Sequence, residues 1–193
     1  MSSPFDARPI VVALAGPNGA GKTTFFGAHL ARAGLRFVNA DELARELELD
    51  APEAAKVASK VRDALVEQRE SFVLETVFSD PVGEKLAFLK RAAALGYTVV
   101  LCFIGLDSAE RSDERVAMRV MQGGHDVPPE KLAARYPRTL ENLRRALREL
   151  PHVLVFDNSD LGRPFTKVAE IVNGATRDLA EPLPAWLRGV VPR

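Results

Sequence analysis

The chain has 193 residues, with 26 Lys and Arg against 26 Asp and Glu, so its formal net charge is zero. This length fits one domain, residues 1–193, and the charge balance excludes a strongly basic nucleic-acid surface and an acidic disordered tail. A single cysteine, Cys102, excludes an internal disulfide and a cysteine-based metal cluster. The apolar runs are far shorter than the ~20 residues that span a bilayer, and no secretory leader is expected. We therefore expect a cytoplasmic protein without a membrane or nucleic-acid partner.

Apolar runs alternate with helical patterns along the chain. Five buried strands are predicted, at 10–15, 36–40, 72–77, 97–106 and 153–156. Helices are predicted at 22–33, 42–49, 52–69, 82–94, 108–121 and 129–149. Continuous apolar strands that alternate with helices indicate an α/β fold with a doubly wound, mostly parallel sheet of five or six strands. Near the end of the chain, Asn173-Gly174 predicts the tight turn of a C-terminal β-hairpin.

A glycine-rich motif for binding phosphate lies between the first strand and the first helix. The run Gly16-Pro17-Asn18-Gly19-Ala20-Gly21-Lys22-Thr23, followed by Thr24, fits the pattern G-x-x-x-x-G-K-[ST]. Backbone N–H groups of such a loop surround a phosphate. Lys22 would reach the β- and γ-phosphates, and the Thr23 hydroxyl would bind Mg²⁺. The motif predicts the P-loop NTPase fold and a nucleotide site at residues 16–24, without specifying the reaction.

Other classes of P-loop protein have signatures that this sequence lacks. It contains no Asn-Lys-x-Asp for guanine, no transporter-ATPase signature and no uninterrupted apolar strand that ends in Asp-Glu. The remaining class is that of the small kinases, which use ATP and Mg²⁺, bind an acceptor beside the phosphate loop and close an arginine-bearing lid.

Carboxylates follow two of the predicted strands, at the edge where open parallel sheets bind ligands. Asp41 is suited to accept a proton from an acceptor hydroxyl, although it could instead cap the helix that begins after it. Glu75, followed by Thr76, is suited to position the acceptor, or alternatively to support the metal. Beyond the fifth strand, Asn158 could contact adenine or belong to a loop turn.

Arginines are concentrated between the fourth and fifth strands, in a segment predicted to be a helical lid at about 107–138. Arginines stabilise the charge on a transferring phosphoryl group, and a closed lid excludes water. Arg119 and Arg135 flank the turn Gly123-Gly124-His125 and are the candidates for this role. Arg111, Arg144, Arg145 and Arg148 are expected on a solvated face, and His125 is expected to form hydrogen bonds rather than to bind metal.

Several segments, in this order, resemble the zeta-toxin-like P-loop kinase family. They are AGPNGAGKTT at 15–24, FVNADE at 37–42, FVLETVFS at 72–79, GYTV at 96–99, RVAMRVMQGGHDVP at 115–128, RYPR at 135–138 and LENL at 140–143. The resemblance implies an ATP- and Mg²⁺-dependent kinase of a UDP-N-acetylhexosamine, notably UDP-N-acetylglucosamine. It also implies an antitoxin protein as a possible partner, and the compact chain is similar to the chromosomal branch of the family.

The resemblance also implies roles for individual residues. The catalytic set carried over by matching motifs is Lys22, Asp41, Arg119 and Arg135. The residues that contact the substrate are Asp41, Glu75 and Thr76. Two other functions stay open: a kinase of another metabolite, nucleotide or nucleic-acid end, and an ATP-binding interaction module that controls a partner.

Overall fold

Five parallel strands form the centre of the fold. They are β1 (Ile10–Ala15), β2 (Arg36–Val38), β3 (Phe72–Thr76), β4 (Thr98–Gly105) and β5 (His152–Asp157). The computed structural model describes residues 4–121 and 129–191. The parallel strands lie in the order β2-β3-β1-β4-β5. Every residue of β1 is buried between β3 and β4, which explains why its sequence is apolar throughout rather than alternating.

A hairpin continues the sheet beyond β5. Its strands are β6 (Thr166–Val172) and β7 (Ala175–Leu179), and β6 pairs antiparallel with β5. The turn residues Asn173 and Gly174 both have positive φ angles, as a type I′ turn requires, so the predicted hairpin is confirmed. The α/β fold class is also confirmed, but the sheet has seven strands rather than five or six, because the inner side of β6 packs into the core.

The described residues form six α-helices. They are α1 (Lys22–Phe25), α2 (Ala40–Glu46), α3 (Ala51–Glu67), α4 (Glu84–Ala94), α5 (Ala109–Met121) and α6 (Pro129–Glu149). Only the first departs clearly from its prediction, because α1 continues as a π-helical turn, Phe26–Leu30, and a 3₁₀ turn, Ala31–Ala33. None of the helices in 4–121 and 129–191 is both long and apolar enough to cross a membrane.

Helix α6 is attached to the carboxyl ends of β3 and β4 by side-chain hydrogen bonds. The Tyr136 hydroxyl donates to the carbonyl of Leu106, just after β4, at 2.7 Å. The Thr139 hydroxyl donates to the carbonyl of Val77, just after β3, at 3.1 Å. Asn142 Nδ2 extends this contact by donating to the carbonyls of Phe78 and Asp80. The first half of α6 is therefore held at the edge of the sheet where the phosphate loop emerges.

Cys102 lies in the centre of β4 and is fully buried. Burial raises the pKa of its thiol to about 12, so almost none of it is thiolate at pH 8. We expect iodoacetamide to leave Cys102 unmodified in the folded protein and to alkylate it fully in guanidinium chloride, as measured by intact mass. Full alkylation of the folded protein within minutes would contradict the buried position of β4.

Candidate active site

Residues 16–23, the phosphate loop, connect β1 to α1. Gly16 has a φ of +144°, and a Cβ atom there would lie 2.1 Å from the carbonyl oxygen of Ile104 in β4. Gly21 is also left-handed, and no side chain caps the N-terminus of α1 that follows it. The N–H groups of the first helical turn have no partners within the helix, so this end can donate hydrogen bonds to an anion.

The ammonium group of Lys22 lies back along the phosphate loop. Its Nζ donates to the carbonyls of Gly16 at 3.1 Å and Pro17 at 3.0 Å. It also lies 3.8 Å from Oε1 of Glu75, and the side chain is only 6% exposed. A positive charge is thus held where a phosphate would lie, by bonds that a phosphate could replace.

Glu75 connects the phosphate loop to the start of α2. Its Oε2 accepts a hydrogen bond from the Thr23 hydroxyl at 2.9 Å and another from Asn39 Nδ2 at 3.2 Å. The neighbouring Thr76 Oγ1 accepts from the backbone N–H of Phe78 and shapes the turn after β3. Glu75 lies beside both Lys22 and Thr23, which fits the predicted alternative that it supports a metal ion. It also lines the cavity described below, so it could contact an acceptor as well.

Asp41 lies in the first turn of α2, and Asn39 is the capping residue of that helix. The Oδ1 atom of Asn39 accepts from the backbone N–H of Asp41 at 2.8 Å. The alternative in which Asp41 caps a helix beginning at Glu42 is therefore wrong, because the helix begins two residues earlier. Asp41 is solvent-exposed, and in the part of the chain that the structure describes its carboxylate accepts no hydrogen bond.

A cavity of about 180 Å³ opens between α2, α3 and the end of β3. It is lined by Asn39, Ala40, Asp41, Ala55, Ala58, Arg62, Glu75, Thr76, Val77 and Lys85. Three predicted acceptor-binding residues, Asp41, Glu75 and Thr76, are therefore brought together. Since Glu75 also contacts Lys22 and Thr23, the cavity lies directly beside the phosphate loop.

Helix α5 packs on the other side of the phosphate loop. The Ser112 hydroxyl donates to the carbonyl of Asn18 at 2.7 Å. Gly19 has no Cβ atom, but one added there would lie only 3.0 Å from the Cβ of Arg115. Burial lowers the pKa of the Arg115 guanidinium, and the nearby Arg111 adds to this effect. Arg115 is a candidate for phosphate binding that our sequence analysis did not single out, although its spacing of one helical turn before Arg119 was a usable signal.

The structure gives less information on the two predicted lid arginines, Arg119 and Arg135. Arg119 lies in α5, but the structure describes only its backbone and not its side chain. The turn Gly123-Gly124-His125 lies outside the described residues. Arg135 lies on α6 one turn before Thr139, half-buried, and is not among the residues that line the cavity around Asp41. A catalytic role for either arginine, and the lid at about 107–138, stay predictions.

Asn158 forms the wall of the phosphate loop next to β5. Its Nδ2 donates to the carbonyl of Ala20 at 2.9 Å, and its Oδ1 accepts from the backbone N–H of Phe165 at 3.3 Å. The nitrogen and the oxygen of the side-chain amide therefore both form hydrogen bonds with main-chain groups, and contact of Asn158 with adenine stays a prediction. An open cleft of about 430 Å³ lies nearby, lined by Asp107, Arg111, Ser159, Asp160 and Leu161.

Within residues 4–121 and 129–191, no three His, Cys, Asp or Glu side chains are grouped so as to hold a metal ion. A magnesium ion at a phosphate loop does not need such a group, because one hydroxyl, the phosphates and water complete its octahedral shell. Thr23 Oγ1 and the adjacent carboxylate of Glu75 supply the oxygen chemistry that Mg²⁺ prefers.

A protein-family model described as Zeta toxin matches residues 37–165. The chain belongs to the zeta-toxin family. The match begins at β2, after the phosphate loop, and includes the segments that carry Asp41, Glu75, Arg119 and Arg135. It confirms the resemblance recognised in the sequence.

Solved structures with the same fold include chains from two protein complexes or systems. One, from the AvrRxo1-ORF1:AvrRxo1-ORF2 complex with sulphate ions, has a TM-score of 0.64 and 20% identity, over 96% of this chain and 64% of that chain. The same complex with ATP gives a TM-score of 0.63 and 20% identity, over the same shares of 96% and 64%. A chain of the PezAT chromosomal toxin-antitoxin system of Streptococcus pneumoniae gives 0.60 and 16%, over 99% and 78%.

These likenesses show a shared fold. This zeta-toxin family chain spans less than two thirds of the length of the AvrRxo1 chains that it matches. A search of the curated proteins finds no match.

Proposed function

We propose that this zeta-toxin family protein transfers the γ-phosphoryl group of ATP to a hydroxyl group of a small molecule. The observation that carries the proposal is the cavity in which Asp41 and Glu75 meet beside Lys22 and Thr23. It offers an acceptor site next to a phosphate site, as a kinase needs. The fold shared with a structure determined with ATP supports ATP as the donor. Family membership supports a UDP-N-acetylhexosamine, such as UDP-N-acetylglucosamine, as the acceptor.

In the proposed reaction the acceptor oxygen attacks the γ-phosphorus in line with the leaving group. The bond from the γ-phosphorus to the bridging oxygen breaks, and ADP leaves with the electron pair. The proton of the hydroxyl passes to the carboxylate of Asp41, which is free of hydrogen bonds among the described residues. The ammonium group of Lys22 stabilises the charge on the phosphates. The Cβ of Arg115 packs against the same loop, and its guanidinium, which donates to the carbonyl of Ser159 at 3.4 Å, would turn toward the phosphates to assist.

Magnesium fits the residues of this site. The Thr23 hydroxyl would hold the ion, and the carboxylate of Glu75, 2.9 Å from that hydroxyl, would stand beside it. When bound, Mg²⁺ supplies positive charge to the β- and γ-phosphates. The other catalytic roles are assigned to Lys22, Asp41 and the arginines.

The proposal is tested by incubating the protein with ATP, Mg²⁺ and UDP-N-acetylglucosamine and searching for an added phosphate by mass. A panel of other nucleotide sugars, nucleotides and 5′-hydroxyl oligonucleotides runs in parallel, and the Lys22→Met variant is the blank for contaminating kinases. Phosphorylated UDP-N-acetylglucosamine is the expected product. Phosphorylation of another compound would show that this compound, and not UDP-N-acetylglucosamine, is the acceptor. ATP turnover without phosphorylation of any compound in the panel would favour an interaction module instead.

We also propose an antitoxin as the protein partner. The support is membership of the zeta-toxin family and the fold shared with a chain of a chromosomal toxin-antitoxin system. Expression of the wild-type protein in a bacterial host should arrest growth, whereas expression of the Asp41→Asn variant should not. Harmless overexpression of the active wild-type protein would contradict a toxin role.

A further inference from the structure

A buried arginine that forms no hydrogen bond with the described residues lines the cavity next to the phosphate loop. Arg62, in the middle of α3, is only 5% exposed. Its Nε atom has no hydrogen-bond partner in the part of the chain that the structure describes. The guanidinium lies 5.7 Å from the centre of the Phe88 ring, so its neighbour on that side is an aromatic face rather than a carboxylate.

The carboxylates near Arg62 are paired with other cations. Asp63 forms an ion pair with Arg91 on α4. Glu84 lies 3.4 Å from the ammonium group of Lys85. An arginine stays charged in proteins, and a buried charge that lacks a close partner destabilises the fold. The position of Arg62 therefore calls for an explanation other than stability.

Arg62 lies where two cavities meet. The first is the cavity that contains Asp41 and Glu75, and the second, of about 160 Å³, lies between α3 and α4. Both are lined by Arg62 and Lys85. The first cavity thus has carboxylates at the end that faces the phosphate loop and Arg62 at the end that meets the second cavity. The other shared cation, Lys85, and the two carboxylates of the second cavity, Asp63 and Glu84, are already in ion pairs.

We propose that Arg62 binds an anionic oxygen group of the acceptor, a phosphate or a carboxylate. The acceptor then lies with its hydroxyl group at Asp41 and its anionic group at Arg62. The planar fork of a guanidinium suits either anion, because it donates two parallel hydrogen bonds to paired oxygens. This inference rests on the proposed function, and it specifies acidic hydroxyl compounds as the substrate class and excludes neutral sugars.

The binding test uses inorganic phosphate and, separately, acetate, titrated into the protein by calorimetry. The variants are Arg62→Met, which has an apolar side chain of similar length, and Arg62→Lys, which keeps the charge without the fork. Arg62→Met should lower the affinity for the preferred anion by about 10- to 100-fold, because a charged group's hydrogen bonds are lost. Arg62→Lys should lower it less. The anion with the larger Arg62-dependent loss identifies the group.

Two further variants make the result specific. Arg69→Met removes another arginine that lies over an aromatic ring, that of Tyr97, but lines neither cavity, and it should bind both anions as the wild type does. Lys22→Met removes the cation of the phosphate loop, so any anion binding that this variant loses belongs to that loop and not to Arg62. The thermal midpoint of Arg62→Met should equal or exceed that of the wild type, since an unpaired buried charge is removed. If Arg62→Met does not fold, Arg62→Lys carries the test.

Kinetics separate failure of this inference from failure of the proposed function. With a phosphorylated acceptor, Arg62→Met should raise KM by about 10- to 100-fold and change kcat much less. An unchanged KM, or equal anion binding by Arg62→Met and the wild type, overturns the role of Arg62 and leaves the kinase proposal standing. If no acceptor is ever phosphorylated but anion binding still depends on Arg62, the anion site stands and the kinase proposal fails.

Discussion

Replacing Asp41 by asparagine is expected to lower the phosphotransfer rate by about 10²- to 10⁴-fold, which is the usual contribution of a general base. Asparagine has nearly the same shape but cannot accept the proton of the acceptor hydroxyl. ATP should bind with unchanged affinity, because the substitution leaves the phosphate loop intact. The hydrogen bonds described for Lys22 and Thr23 are made with Gly16, Pro17 and Glu75. Initial-rate kinetics and calorimetric titration of ATP measure the two quantities separately.

Glu42→Gln is the matched control for this substitution. Glu42 is the next residue of the same helical turn, it is partly buried, and it does not line the cavity that contains Asp41. Burial raises the pKa of Glu42, and the negative charge of Glu75 adds to this, while Arg45 opposes both. The Glu42→Gln variant should turn over at nearly the wild-type rate. Near-normal turnover by Asp41→Asn, or a larger loss in Glu42→Gln, would show that Asp41 is not the base.

Local sequence patterns could predict most of the elements but not their arrangement. A strand buried on both faces is apolar at every position, and β1, Ile10–Ala15, coincides with its prediction for that reason. The position of β1 between β3 and β4 depends on pairing between distant segments, which leaves no local signal. Likewise, Asn173-Gly174 predicts a turn, but whether the hairpin adds to the sheet depends on whether β5 is left with a free edge.

The same distinction applies to the candidate site. Asp41 and Glu75 could be predicted because strand ends carry ligand-binding side chains in parallel sheets, whatever the strand order. Arg62 could not, because an arginine within an amphipathic helix has the same local pattern whether it faces solvent or a cavity. Its burial depends on how α3 packs beside Phe88 of α4. The contact of Arg115 with the phosphate loop likewise depends on how α5 returns over Gly19.

Replacing Gly16 by alanine is expected to lower the free energy of unfolding by about 3 kcal/mol and to abolish ATP binding. A Cβ at this position would lie 2.1 Å from the carbonyl oxygen of Ile104. That oxygen belongs to the buried backbone of β4, which cannot move without disturbing its pairing with β1 and β5. The strain must then displace the start of the phosphate loop and the carbonyl that holds Lys22. Urea denaturation and calorimetric titration of ATP measure the two effects.

Gly27→Ala is the control, because it adds the same methyl group a few residues along the chain. Gly27 lies in the π-helical turn after α1, outside the left-handed region, and among the described residues no atom outside the backbone of its own helix lies within 4 Å of its added Cβ. Alanine there should raise the free energy of unfolding by up to about 1 kcal/mol, since it restricts the unfolded chain, and should leave ATP binding unchanged. Wild-type stability and ATP affinity in Gly16→Ala would contradict the close approach of the phosphate loop to β4, and equal losses in both variants would show that the effect is not specific to that approach.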